Sequence, residues 1–248
     1  MRNGEFGHPS VRAWDHTGLL ASARAMWRLT VRIQRSAVFW TALVFAPNIA
    51  STQTVDQTID RAVAAWQAAR TVRASFEQTL TNPLTGSDVT ARGEFQQQGR
   101  NRIGIRFTDP AGDRIVADGK VLWIYLPSTT PGQVIRSTLS QGASSVDLTG
   151  QFLTAPRSKF NITSAGTMSV GGRPARGLLL VPKREGSQPF TKATVWVDDR
   201  DGLVRQFEVT DQNGVTRRVR LTSIRVNAPV EAAAFRFSPP RGVRIVDQ

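Results

Sequence analysis

From Val55 onward the apolar residues Val55, Ile59, Ala62, Val63 and Trp66 recur at three- and four-residue steps. That spacing places side chains on one face of a helix. Thr54-Val55-Asp56-Gln57 has the form of a capping box, with Thr54 as N-cap and Gln57 three residues later. Asp56 and Asp60 stand near the end where the helix dipole favours acids, and Arg70 lies toward the other end. The pattern predicts one amphipathic helix of about four turns.

After Thr71 the period falls to two. Val72, Ala74, Phe76, Gln78 and Leu80 alternate with Arg73, Ser75, Glu77 and Thr79, as on a strand with one buried face. Further strands are predicted at 89–98, 102–108, 114–117, 121–126 and 133–139. In the second of these strands after the helix, Phe95 falls on the apolar face; in the third, Ile103, Ile105 and Phe107 share one. Asp118-Gly119 is a strong two-residue hairpin signal. The alternation breaks over 140–158, where Gly142, Ser144 and Ser145 loosen the chain and 146–153 predicts a short helix ended by Pro156. Strands resume at 159–163, 167–170, 176–182, 192–197, 203–210 and 215–226, with a last short one at 235–237. The turns between them are rich in Asp, Asn and Gly, which tolerate positive φ. About eleven short strands joined mainly by hairpins form an antiparallel meander. A sheet of that length has to curl. The expected fold is therefore mainly β with helices (α+β), a barrel or half-barrel whose helices cover the concave side.

Composition removes most chemistry. The 248 residues are 40% hydrophobic, enough for a sizeable core, and contain no cysteine. Disulfides, thiol catalysis and thiolate metal sites are excluded. The two histidines, His8 and His16, precede a basic segment (Arg28, Arg32, Arg35), the apolar run 37–46 and Pro47-Asn48-Ile49-Ala50-Ser51. This is the layout of a secretory signal, too short for a membrane span of about 20 apolar residues. Residues 1–25 are expected to be an unstructured upstream extension with translation starting at Met26, 26–50 a signal peptide cleaved after Ala50, and 51–248 a single domain. The mature chain would then hold neither His nor Cys, which leaves no histidine base for its serines and no ordinary zinc site. No P-loop, dinucleotide fingerprint or nucleophile elbow is present. Asp198, Asp199 and Asp201 cluster in a hairpin and are expected to be solvated turn acids, without the pattern of a calcium loop. No enzyme activity and no cofactor are expected. The net charge of +13 would suit an anionic partner. Its arginines are spread along strands, however, and export opposes nucleic acid as the partner.

Several segments together resemble the periplasmic outer-membrane lipoprotein carriers of the LolA family. They are Phe76-Glu77-Gln78, Gly93-Glu94-Phe95, Pro110, the run Ile115-Val116-Ala117-Asp118-Gly119-Lys120-Val121-Leu122-Trp123-Ile124-Tyr125, and the tail Phe235-Arg236-Phe237-Ser238-Pro239-Pro240-Arg241-Gly242-Val243. The resemblance spans about residues 55–247. It implies a half-open β-barrel with a helical lid, working in the periplasm after signal removal. Such carriers receive lipoproteins from an inner-membrane ABC transporter and deliver them to the outer membrane, often to a lipoprotein acceptor, without covalent chemistry. A monomer is expected. The acyl chains would lie against Phe76, Phe95, Ile103, Ile105, Phe107, Ile115, Trp123 and Tyr125. In the family an Arg-Pro pair after the strand beginning at the Gly93 position holds the lid closed. Here Gly99 stands in the arginine place and Arg100 in the proline place, so Arg100 or Arg102 is the expected latch. An acceptor would need a lipidated cysteine behind the signal. A second reading is a periplasmic sensor that binds mislocalised lipoproteins in a similar half-barrel and normally carries a further domain.

Overall fold

The computed structural model describes residues 54–139 and 147–248. The expected extension and signal segment lie outside the described residues. Helix α1 (Val55–Ala68) opens on the capping box: the Gln57 N–H donates to Thr54 Oγ1 at 3.2 Å and the Thr54 N–H to Gln57 Oε1 at 2.9 Å. It buries Ile59 and Ala62 of the expected stripe and also Thr58, while Val55, Val63 and Trp66 pack half-buried against the core.

The strands are β1 (Thr71–Asn82), β2 (Ser87–Gln98), β3 (Arg102–Asp109), β4 (Ala111–Asp118), β5 (Val121–Tyr125) and β6 (Gln133–Thr138). Two single-turn helices, α2 (Gly150–Leu153) and α3 (Pro156–Lys159), precede β7 (Phe160–Val170), β8 (Arg173–Pro182), β9 (Lys192–Asp198), β10 (Val204–Thr210) and β11 (Thr216–Val226). A 3-10 turn (Ala232–Phe235) and β12 (Arg244–Asp247) complete the chain. All twelve strands form one sheet in the order β12-β6-β5-β4-β3-β2-β1-β11-β10-β9-β8-β7. Two meanders, β1–β6 and β7–β11, meet where β1 pairs with β11. Strands β12 and β7 are the two ends of that order, so the sheet is open. Eleven strands pair antiparallel, and β12 alone runs parallel to its neighbour β6.

Four expectations need correction. The segments 159–163 and 167–170 are one strand, interrupted by a register shift between Ser164 and Thr167 where Gly166 has φ +85°. Pro156 opens α3 rather than closing a helix, a position that suits a residue lacking the N–H. No strand forms at 235–237. Every strand edge near Phe235 already has a partner, so the tail lies across β3 and β4 and buries Phe235 there. The strand near the C-terminus is β12 instead, because the open edge of β6 can accept one. Finally, Asp198 is not solvated but fully buried.

Register assigns the faces. Residues paired directly across antiparallel strands point to the same side, so Ala74, Phe95, Ile105, Ile115, Ile124 and Ile135 form one row. The neighbouring register, Gln96, Gly104, Val116, Trp123 and Arg136, points the other way. The first side is the inner face: Phe76, Phe95 and Ile103 from the first meander and Leu178, Val195, Phe207 and Leu221 from the second pack with Ile59 and Ala62 of α1 and Phe152 and Leu153 of α2. The outer face carries the tail. A Cβ on Gly104 would lie 2.3 Å from the Ala234 carbonyl oxygen, so only glycine lets the 3-10 turn sit this close. Gly104→Ala should lower stability by about 1–3 kcal/mol. The check is a reduced urea midpoint together with new proteolytic cleavage between the turn and β12.

Candidate functional site

The inner face is apolar and its cover is unequal. Phe76, Phe95 and Ile103 are at most 5% exposed, beneath α1 and α2. Phe107 meets Phe76 edge-on with ring centroids 5.3 Å apart. Farther out, Ile105, Ile115, Ile124 and Ile135 are only half-buried. Six of the eight expected cavity residues thus share this face. Trp123 and Tyr125 do not: they project outward and pack on Phe237, with centroids 5.7 and 5.8 Å away.

Two apolar cavities lie on the inner face. A small one of about 40 Å³ sits under α1, among Ala62, Trp66, Val72, Phe95, Leu153 and Leu221. A larger one of about 470 Å³ opens between β1, β10, β11 and the segments around Leu148 and Phe190, lined by Leu80, Phe207, Val209 and Val219. None of the residues lining the larger cavity was among those expected. Their signal was nonetheless present, because Phe207/Val209 and Val219/Leu221 keep the same period-two alternation.

The C-terminal half of α1 is held by Arg100 and Asp147 at Trp66 and by Asn227, whose Nδ2 donates to the Ala68 carbonyl oxygen at 3.3 Å. Arg100 Nη2 donates to the Trp66 carbonyl oxygen at 2.7 Å, and its guanidinium carbon lies 3.6 Å from the Trp66 ring centroid. Arg100 Nη1 stands 3.7 Å from the Asp147 carboxylate. Asp147, 3% exposed, accepts the Trp66 indole N–H at 3.0 Å and the Gly150 N–H at 2.9 Å. One carboxylate therefore joins α1, α2 and the β2–β3 turn. Gly99 has φ +63°, a conformation that glycine adopts without steric penalty. That turn aims Arg100 at the helix. Arg102 instead donates to Gln98 Oε1 at 3.3 Å and is exposed.

The N-terminal half of α1 is tied differently. Arg157 pairs with Asp60 at 2.6 Å and with Asp56 at 3.0 Å, and holds the Asp60 carboxyl below its usual range. Arg61 donates to the Asp199 carbonyl at 2.6 Å. Asp199 belongs to the β9–β10 hairpin, whose Asp198 takes Arg173 and Arg205, the latter at 2.9 Å. Among the described residues no group of His, Cys, Asp and Glu could hold a metal ion.

Residues 67–238 match the family described as outer membrane lipoprotein carrier protein LolA. The chain belongs to this family. It is 29% identical over 176 residues to an outer-membrane lipoprotein carrier protein of Proteus mirabilis, covering 71% of this chain and 81% of that one. It is 28% identical over 180 residues to the protein so described in Chromobacterium violaceum, with the same coverage. Among solved structures, an uncharacterised conserved protein of Thermus thermophilus aligns with a TM-score of 0.49 at 15% identity, over 79% of this chain and all of that one. A LolA superfamily protein of Nitrosomonas europaea aligns at 0.38 and 14%, over 75% and 98%.

The motifs that carry the LolA resemblance meet in space. Asp118 accepts the Lys120 and Val121 N–H groups, both at 2.8 Å, while Gly119 takes φ +103°. This turn sets the register that sends Trp123 and Tyr125 outward, onto Phe237 of the second motif. The same run thus serves both faces: Trp123 and Tyr125 pack on the tail, while Ile115 and Ile124 lie on the inner face.

Proposed function

We propose that this LolA-family chain is an exported periplasmic carrier for the acyl chains of lipoproteins, with residues 51–248 as the carrier domain after removal of the signal. The carrying observation is an apolar inner face and cavity beneath a helix whose C-terminal half is held by Arg100. Each exposed CH₂ costs about 0.8 kcal/mol in water, so free acyl chains do not cross an aqueous compartment at a useful rate. A site for them has to be apolar and also able to open. The half-buried isoleucines give the first property, and a helix whose C-terminal half is fastened by a short set of polar contacts gives the second. In this reading Phe76, Phe95, Ile103, Ile105, Phe107 and Ile115 line the path with Leu80, Phe207 and Val209, and Arg100 is the latch. Trp123, Tyr125 and Arg102 have no part in it. The chain acts as a monomer, takes its cargo from an inner-membrane ABC transporter and passes it to the outer membrane or an acceptor there, with no catalysis and no nucleic acid.

The test is mass spectrometry of material bound to the protein isolated from periplasm without delipidation. Bound lipoprotein supports the reading, and its absence overturns it. Leu80→Trp, which fills the larger cavity, should cut recovered lipoprotein about tenfold with the fold intact. Transfer of that lipoprotein to acceptor membranes separates a carrier from a sensor, which would keep it.

A further inference from the structure

The outer face carries an arginine groove that lipid carriage does not use. Two recesses, of about 360 and 230 Å³, share Arg73, Glu94 and Gln96 and run across β11, β1, β2, β3 and β4 beside the 3-10 turn. Arg73, Arg106, Arg114, Arg225 and Arg236 line them against two acids, Glu94 and Glu231. Arg106 is engaged by Glu94 at 2.8 Å, and Arg73 by Glu231 at 3.8 Å. Arg114, Arg225 and Arg236 have no carboxylate partner among the described residues. Arg106 lies directly across from Arg114, and Arg73 directly across from Arg225. Like charges in that position destabilise a sheet. Glu94 and Glu231 each compensate one member of a pair, which leaves Arg114 and Arg225 as the unmatched cation of each pair.

The geometry points to a docking groove for an extended acidic segment of a protein partner, with carboxylates at both arginine pairs. The pair midpoints are three strands apart and two residues offset. At about 4.8 Å per strand and 3.4 Å per residue, this is a span of about 16 Å. An extended chain covers most of that in four residue steps, and residues i and i+4 point to the same side. Arginine forks bind such carboxylates in bidentate geometry. A recess walled by a turn admits a chain, whereas a flat bilayer surface does not reach its floor. The groove lies on the face opposite the lid, so a partner could hold the protein there while the inner face stays free.

The probe is a short end-capped fluorescent peptide with two aspartates four positions apart in a serine-threonine background, followed by anisotropy on the purified protein. Saturable binding is expected, falling about tenfold or more from low to high salt. Arg114→Ser and Arg225→Ser should each weaken it about tenfold. Arg136→Ser, paired with Asp247 away from the groove, should leave it unchanged. Arg114→Ser relieves a like-charge contact, so its melting temperature should equal or exceed that of the parent protein. Equal affinity for the Arg114→Ser variant overturns the proposal. So does binding to phosphatidylglycerol vesicles without binding to the peptide, or displacement of the peptide by inorganic phosphate as readily as by an unlabelled copy. These outcomes stand apart from lipoprotein recovery, which reads the inner face.

Discussion

Arg100→Leu is expected to release the C-terminal half of α1 and shift the lid toward its open state by about 10- to 100-fold. The hydrogen bond from a charged guanidinium to the Trp66 carbonyl contributes about 1.5–3 kcal/mol, and the cation–π contact about 0.5–1 kcal/mol. The Arg100 side chain is 40% exposed, so water competes and the sum is discounted to about 1.4–2.7 kcal/mol. Leucine keeps the apolar stem and loses both interactions together with the 3.7 Å contact to Asp147. If acyl chains enter only the open state, apparent affinity rises by the factor that opening gains, and release slows accordingly. Amide exchange should accelerate over the last two turns of α1 and much less over the first two, where Arg157 and Arg61 still hold. Arg102→Leu should change neither quantity, since Arg102 does not reach the helix. Unaltered exchange and unaltered acyl-probe release in Arg100→Leu would sink the latch.

What was legible in the sequence was local. The α1 capping box and apolar stripe depend on neighbours within four residues, and both appear as read. Strands β1 to β6 follow from alternation and turn residues, and six inner-face residues of the first meander follow with them. Trp123 and Tyr125 escaped because apolar character does not say which side is inside. Their face is set by register through the Asp118-Gly119 hairpin, and their cover, Phe237, comes from more than a hundred residues downstream. The parallel pairing of β12 with β6 is equally non-local. The cavity residues of β10 and β11 alternate as plainly as those of β1 to β3. What alternation alone does not show is that β11 closes beside β1, which brings both meanders onto one face. Arg100 was readable as a candidate only through the family resemblance, which puts the arginine place one position earlier, at Gly99.

Asp198→Ala is expected to lower stability by about 3–5 kcal/mol, the range for removing one partner from a buried ion pair. Total stabilities of about 5–15 kcal/mol make that a large fraction. Three acids in one turn look solvated in the sequence, but β8 and β10 bring Arg173 and Arg205 over the first of them, and Asp198 has no exposed surface. Its carboxylate also accepts the Arg200 N–H at 2.8 Å. Burial alone would push this carboxyl up; Arg173, the Arg200 N–H and Arg205 together hold it well below the usual range. A depressed folded value means the stabilisation is complete above the ordinary carboxylate pKa of about 3.9 and is lost as pH falls below it toward the folded value. Acid unfolding of the parent protein should therefore contain a component below about pH 4 that Asp198→Asn lacks. An Asp198→Ala urea midpoint matching the parent's would refute the cluster's role. The damage should also reach the lid from its fixed end. Arg61 donates to the Asp199 carbonyl, and at Gly202 a Cβ would stand 3.0 Å from the Arg61 carbonyl oxygen, so the hairpin that Asp198 stiffens is the seat of the first turns of α1. Faster exchange in Asp198→Ala should therefore begin at the N-terminal half of the helix, the half that Arg100→Leu leaves in place.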